Sequence, residues 1–332
     1  MTSVNEVSLL VAARAGDEDA FQSLTEPYRH ELRVHCYRIL GSLQDAEDLV
    51  QETFLRAWRR LETFEERASM RAWLYKIATN ACLDAIDKQK RLLPTVYNPP
   101  AESSAEPTWF EPCPDDWFNE MTVSPEARYS ARESMSLAFL VTLQLLPARQ
   151  RAVLILRYVL DWQASEVAAL LETTISAVNN ALRRARVTLE QQATGHLANP
   201  LPADDHLRTV LDRYVRAWEE SDISTLIALL KEDAVMSMPP AALWFQGREA
   251  IRAFTLNEIF PNMGASSWLF KPIQANGQPA FAVYEPDKSG NGYQAHSIHT
   301  ITFDGDQLFE IIVFYSPALF RFFGLPSQLD KG

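Results

Sequence analysis

Cysteine is scarce in this chain. Three occur in 332 residues, at Cys36, Cys82 and Cys113, and no two of them form a CxxC pair. An odd number of widely separated cysteines argues against a disulfide framework and a structural zinc site, and fits a reducing cytoplasm. No metal or other cofactor is expected. No run of about 18 apolar residues offers a membrane span. The opening MTSVNEVSLLVAARAGDEDA lacks a basic start and soon turns acidic, so no secretory leader is expected. Positive charge is in deficit too. The formal net charge is -12, which disfavours free, nonspecific binding to nucleic acid or to an acidic membrane.

What the chain does have is unevenly spread. Its length suggests two or three domains, and 47% hydrophobic residues are enough to fill their cores. Residues 1–92 are near neutral, at net -2, and read as helices, with apolar residues recurring at three and four. Residues 93–125 hold six acids and no base. This stretch, rich in Pro and Ser and without periodicity, reads as a linker. Residues 126–196 are helical again and are the one net-positive block, with 8 bases against 6 acids. A short joint, 197–205, leads to a third block at 206–332. There one helix precedes strand-like runs separated by Asn276-Gly277, Ser289-Gly290 and Asp304-Gly305, which predicts an α+β domain with an antiparallel sheet. The fold class expected is therefore multidomain, two all-α modules followed by an α+β domain.

The positive block predicts three helices, near 148–158, 165–171 and from 175 on, with Ser165 and Thr174 as N-caps. In the third, Ile175, Val178, Leu182, Ala185 and Leu189 are spaced 3, 4, 3, 4 and define a buried face. Ser176, Asn179, Asn180, Arg183 and Arg184 fall opposite. Such a face is either a solvated side of an ordinary bundle helix or a major-groove reader, since Asn pairs with adenine and Arg with guanine or phosphate. The turn before it carries Glu172 where a helix-turn-helix usually has Gly.

The first block contains DAEDLVQETFLRAWRR, 45–60. Leu49, Val50, Phe54, Leu55 and Trp58 are more apolar residues than one buried helix face needs. Further on, Lys76, Asn80 and Asp84 repeat every four residues as a polar stripe, extended by Lys88, beside an apolar side that includes Leu74, Tyr75 and Cys82. Phe64, in the short polar segment FEERASM, faces either core or partner.

The stretch DAEDLVQETFLRAWRRLETFEERASMRAWLYKIATNACLD, followed by LPARQRAVLILRYVLDWQASEVAALL and ISAVNNALRRAR, resembles regions 2 and 4 of the extracytoplasmic-function group of the sigma-70 family. No block resembling regions 1.1 or 3 is present. The resemblance implies a promoter-specificity factor whose partners are the RNA polymerase core, through its β′ clamp helices and β flap, and promoter DNA. On it, Asp45, Asp48, Gln51, Glu52, Phe54, Leu55 and Trp58 bind the polymerase core. Phe64 and Ser69 lie near an unstacked −10 base, while Lys76, Asn80 and Asp84 contact −10 DNA. The face from Ser176 to Arg184 reads the −35 element. The acidic linker suits a basic polymerase channel. Its patch TWFEPCPDDWF, with Trp109, Phe110, Trp117 and Phe118, is costly to leave in water at about 1.5–3 kcal/mol each, and is expected to dock, with the C-terminal domain one candidate.

The third block looks like a SnoaL-like domain of the NTF2-like superfamily, a cone of helices closed by a curved sheet. Together with ANGQPAFAVYE and FRFFGLP it resembles the SigG-like subgroup, which implies regulation in cis. An enzymatic role is not expected. His296 and His299 alternate along one strand, so only one would face inward, and no acid–base pair is visible. Trp218, Met236, Met238, Trp244, Trp268, Tyr284, His299 and Phe314 either line a pocket for a small apolar ligand or are core packing. A pocket enzyme or ligand sensor fused to a DNA-binding module is the alternative reading.

Overall fold

The structure is a computed structural model describing residues 4–65, 69–92, 110–119, 136–192, 204–239, 241, 243–262, 268–287 and 292–330. Trp109, the Ser289-Gly290 turn and most of the acidic linker lie outside these residues. The chain divides into two units. One comprises Met1–Phe110, Trp117–Met135 and Phe139–Gly195; the other comprises Glu111–Asp116, Ser136–Ala138 and His196–Gly332.

The first unit opens with five helices, α1 (Val4–Arg14), α2 (Glu18–Thr25), α3 (Arg29–Leu40), α4 (Leu43–Arg59) and α5 (Met70–Leu92). Local chemistry sets their ends. Asp17 caps α2 by accepting from the Ala20 N–H at 3.0 Å, and Ser42 caps α4 through Asp45 N–H at 3.2 Å. Gly41 takes the left-handed φ of 78° that ends α3. Leu32, Tyr37, Leu43, Leu74 and Tyr75 are fully buried where α3, α4 and α5 pack. The Tyr75 hydroxyl donates to Glu31, which also pairs with Arg71 at 2.8 Å. His35 is buried against Thr79 at 2.9 Å. Burial drives its imidazole down to about 3, so it stays neutral.

Apart from the first residues of α6 and α7, the same unit holds α6 (Asp116–Asn119), α7 (Leu137–Gln144), α8 (Ala148–Leu154) with a π-turn over Ile155–Val159, α9 (Ala164–Leu170) and α10 (Ile175–Gln192). Two expectations are corrected. The second helix of this trio starts at Ala164, where Gln163 N–H donates to Glu166 at 2.7 Å, so Ser165 is not its cap. Ile175 is 50% exposed rather than buried, because it stands in the first turn of α10, ahead of the buried Val178. Thr174 does cap α10, accepting from Ala177 N–H at 3.1 Å.

The second unit has α11 (Asp204–Glu219), α12 (Ile223–Leu229), α13 (Arg248–Phe254) and strands β1 (Leu230–Ser237), β2 (Trp244–Gln246), β3 (Leu269–Ala275), β4 (Gln278–Pro286), β5 (Gly292–Asp304), β6 (Gln307–Phe314) and β7 (Gln328–Asp330). The sheet order is β2-β1-β6-β5-β4-β3, with β7 also on β5. The sheet is mixed rather than wholly antiparallel, since β1 runs parallel to β6. Nor does it close on itself. Asn276-Gly277 makes the β3–β4 hairpin with φ of 54° and 74°, as the dipeptide predicts. One face of the sheet packs on Val210, Tyr214, Ala217 and Trp218 of α11. All three cysteines are buried thiols rather than disulfides.

The described part of the linker's aromatic patch divides its allegiance. In the first unit Trp117 packs beneath the Arg33 guanidinium at 3.9 Å, and its carbonyl lies 2.8 Å from His30 Nε2. In the second, Cys113 N–H donates to the Asn276 side chain at 2.8 Å, Asn276 N–H returns to Cys113 at 2.9 Å, and Gly277 N–H donates to Asp115.

Candidate nucleic-acid interface and candidate pocket

On α5 the stripe is formed as expected but is not bare. Lys76 and Asn80 are half-buried and Asp84 is exposed. Lys76 Nζ sits 2.9 Å from Glu172 Oε1, and Asp84 lies 3.5 Å from Arg56. The ammonium holds the Glu172 carboxyl below its ordinary range. Glu172 adopts a left-handed φ of 50°, so the turn keeps the geometry glycine would supply, at a cost of roughly 1–2 kcal/mol.

Phe64 is corrected from a base contact to a core residue. It is 6% exposed, packs against Trp73 with the rings tilted at 45° and centroids 5.0 Å apart, and its carbonyl accepts from Arg14 at 2.7 Å. Ser69 is exposed, and its hydroxyl accepts from Ala72 N–H at 3.2 Å at the start of α5.

On α4, Asp45, Asp48 and Gln51 are exposed, Leu55 is 51% exposed, and Glu52 is half-buried in an ion pair with Arg56. The 48, 51, 55 spacing makes one open stripe. Phe54 is corrected: it is buried beneath the Arg29 guanidinium. Trp58 is half-buried, edge-on to Phe21 at 5.0 Å. The apolar surplus of this helix therefore narrows to Leu55 and part of Trp58.

On α10, Ser176, Asn179, Asn180, Arg183 and Arg184 are all exposed, and Val178, Ala181 and Ala185 are buried beneath them. Among the described residues neither Arg183 nor Arg184 holds an ion pair. A capped helix presenting short amides first and arginines behind matches the donor and acceptor demands of a major groove.

In the second unit the expected pocket residues separate. Trp218 and Met236 are buried in the core, with Met238 and Trp268 packed at its margin. Tyr284 and Phe314 belong to the other face of the sheet, by strand alternation with Val283 and Val313. There Tyr284 packs edge-on to Phe320 and donates to Pro326. Trp244 is 56% exposed on a short edge strand. These three do not join Trp218.

The two histidines hold the main surprise. Pairing passes from Val283↔Ser297 to Tyr284↔Ala295, so His296 is the extra residue of a β-bulge. The bulge cancels simple alternation, and both histidines meet one hydroxyl: His296 Nδ1 and His299 Nε2 lie 3.0 and 3.1 Å from Ser297 Oγ. The other nitrogen of His299 is 3.0 Å from the Tyr214 hydroxyl. Burial drives His299 down to about 3 and the Tyr214 phenol up, so both are neutral. Such an imidazole offers one donor and one acceptor. It can relay hydrogen bonds but is a poor base near neutral pH. Tyr214 had no distinctive sequence signal, and the bulge had none at all. Among the described residues no three His, Cys, Asp or Glu gather as metal ligands, and no helix is long and apolar enough to cross a membrane.

Comparison with known proteins fits this architecture. Residues 24–92 match Sigma-70 region 2, residues 136–189 match Sigma-70 region 4, and residues 211–311 match the SnoaL-like domain. The chain is 41% identical over 326 residues to the ECF RNA polymerase sigma factor SigG of Mycobacterium tuberculosis, covering 95% of this chain and 86% of that one. It is 30% identical to SigW of Bacillus subtilis over 54% of this chain and 91% of that one. The crystal structure of the M. tuberculosis extracytoplasmic function sigma factor SigJ superposes with a TM-score of 0.58 at 25% identity, covering 92% of this chain and 99% of that one. Two sigma modules joined to a SnoaL-like domain define the class. The chain belongs to the extracytoplasmic-function sigma factors of RNA polymerase.

Proposed function

We propose that this chain directs core RNA polymerase to promoters and is regulated in cis by its SnoaL-like domain. The open α4 stripe of Asp48, Gln51 and Leu55 docks on the β′ clamp helices, and region 4 engages the β flap. The α5 stripe of Lys76, Asn80 and Asp84 contacts the −10 element, and α10 reads the −35 element through Ser176, Asn179, Asn180, Arg183 and Arg184. The observation that carries this reading is the α10 face, five polar residues exposed together on a capped helix. With a net charge of -12, free affinity for phosphate is weak, so duplex recognition depends on polymerase.

The C-terminal domain acts as a regulator rather than an enzyme. Its buried histidine is held neutral, and the relay contains no carboxylate. Any small ligand would be uncharged and apolar, with one hydrogen-bonding group. Run-off transcription over a promoter library tests the whole reading, with full-length chain against chain ended after residue 197. The expected result is a defined start site with changed output on truncation. Identical output from both chains would remove the claim of regulation in cis.

A further inference from the structure

The first turn of α10 carries a side chain that the polar character of its face leaves unused. Ile175 is 50% exposed, although its place in the 3, 4, 3, 4 series marks it for the core. Thr174 fixes where it stands. The Thr174 hydroxyl accepts from Ala177 N–H at 3.1 Å, and its carbonyl accepts from Val178 N–H at 3.0 Å. Val178, Ala181 and Ala185 then define the buried side. At 3.6 residues per turn, Ile175 sits at one edge of the exposed face, one turn ahead of Asn179 and about 40° round the helix from it. Ala177, the other exposed apolar residue of this turn, falls at the opposite edge. Its single methyl reaches less far.

We propose that Ile175 is a specificity residue of the −35 face and reads the 5-methyl group of a thymine. This role rests on α10 being the −35 reader. A recognition helix meets base edges with its N-terminal residues, so the first turn stands nearest them. Those edges carry hydrogen-bond donors and acceptors at every base pair, and the thymine methyl is the one apolar group that projects from them. An isoleucine set against any other part of the edge strips water from polar atoms and gives them no partner, which costs binding. Set against the methyl, it buries two apolar surfaces and leaves the polar atoms alone. The methyl lies on the outer side of the edge, beside its own sugar–phosphate strand. A residue at the margin of the helix face arrives there first. Isoleucine also loses little freedom on contact, since a β-branched side chain in a helix already holds one χ1 rotamer.

Ile175 and Asn179 then act as a pair. The Asn179 amide has the donor and acceptor that match adenine N7 and N6. Every adenine brings a thymine on the other strand, so a step rich in A·T pairs answers both side chains. Four residues of helix rise about 6 Å, and base pairs stand about 3.4 Å apart. The thymine therefore lies within about two base pairs of the adenine that Asn179 reads.

The test uses the full chain with core polymerase and a promoter duplex from the run-off library. Each thymine of the −35 element, on either strand, is replaced singly by deoxyuridine, which removes the methyl and keeps the base pair. With the native chain, one replacement should weaken holoenzyme binding about three- to fivefold, the effect of one buried methyl. Ile175→Ala should weaken binding to the unmodified duplex about three- to tenfold, and deoxyuridine at that same position should then add nothing. A merely structural role for Ile175 would lower affinity for every duplex and leave the deoxyuridine effect in place. Deoxyuridine effects that are equal in the native chain and in Ile175→Ala at every position, or absent from both, would overturn the proposal. Asn179→Ala separates this from the reading beneath it. Should that variant lose discrimination at an A·T pair while Ile175→Ala leaves the deoxyuridine effects unmoved, only the methyl contact falls. Should it discriminate −35 base pairs as the native chain does, with no deoxyuridine effect in either, the −35 role of α10 falls and that of Ile175 with it.

Discussion

The helices α5 and α10 carry the two polar stripes most suited to DNA, and the structure treats them oppositely. Two charged members of the α5 stripe have partners, Lys76 with Glu172 and Asp84 with Arg56. On α10 all five polar residues are open to solvent. The contrast teaches that sequence spacing reveals a surface but not its occupancy. Covering is decided by residues far away in the chain, such as Glu172 for Lys76, and by the cost of leaving the Trp162 ring exposed.

The comparison is broken most severely by removing the open side. Arg183→Ala combined with Arg184→Ala should lower promoter-dependent initiation by about 10- to 1000-fold, with a shallower salt dependence of holoenzyme binding to DNA and an unchanged melting temperature. Unaltered initiation would make α10 a solvated face. On the covered side, Arg151→Met leaves the Ile39 carbonyl without its cation and should cost about 1–3 kcal/mol in urea unfolding.

Acid sharpens a second contrast, between the two units. His35 and His299 each titrate at about 3 when folded, against 6.5 in an ordinary setting. The unfolded chain then binds more protons, so stability rises with pH between these limits. It is fully present above about 6.5 and falls by up to about 1.4 kcal/mol per pH unit per histidine towards pH 3. His299→Asn should flatten that slope in the C-terminal unit alone, read by near-ultraviolet circular dichroism of its tryptophans. The smallest effect belongs to Leu55→Ala. It should weaken core polymerase binding about two- to fivefold and leave the melting temperature unchanged, because the side chain is half exposed.

Much of this architecture was legible in the residues. Helical spacing placed the exposed face of α10, Thr174 gave its cap, and Asn276-Gly277 marked a hairpin. These are local signals, written within a few residues. Other features depend on partners distant in sequence. Phe64 read equally well as core or contact and Phe54 read as a partner contact, and burial put both inside. The bulge at His296 defeated the alternation rule, since one extra residue reverses the face of all that follow. Tyr284 and Phe314 were grouped with Trp218 by hydrophobicity alone, which cannot tell one side of a sheet from the other. The parallel pairing of β1 with β6 joins residues more than seventy apart and leaves no local mark.

The most direct measurement of the central claim is promoter binding with and without core polymerase, by mobility shift on a duplex chosen from the run-off library. The account predicts that the chain alone leaves the duplex free, that it associates with core polymerase, and that the assembled complex then retains the duplex at the start site. A chain that retains the duplex unaided, or that fails to join the core even when shortened after residue 197, would contradict it.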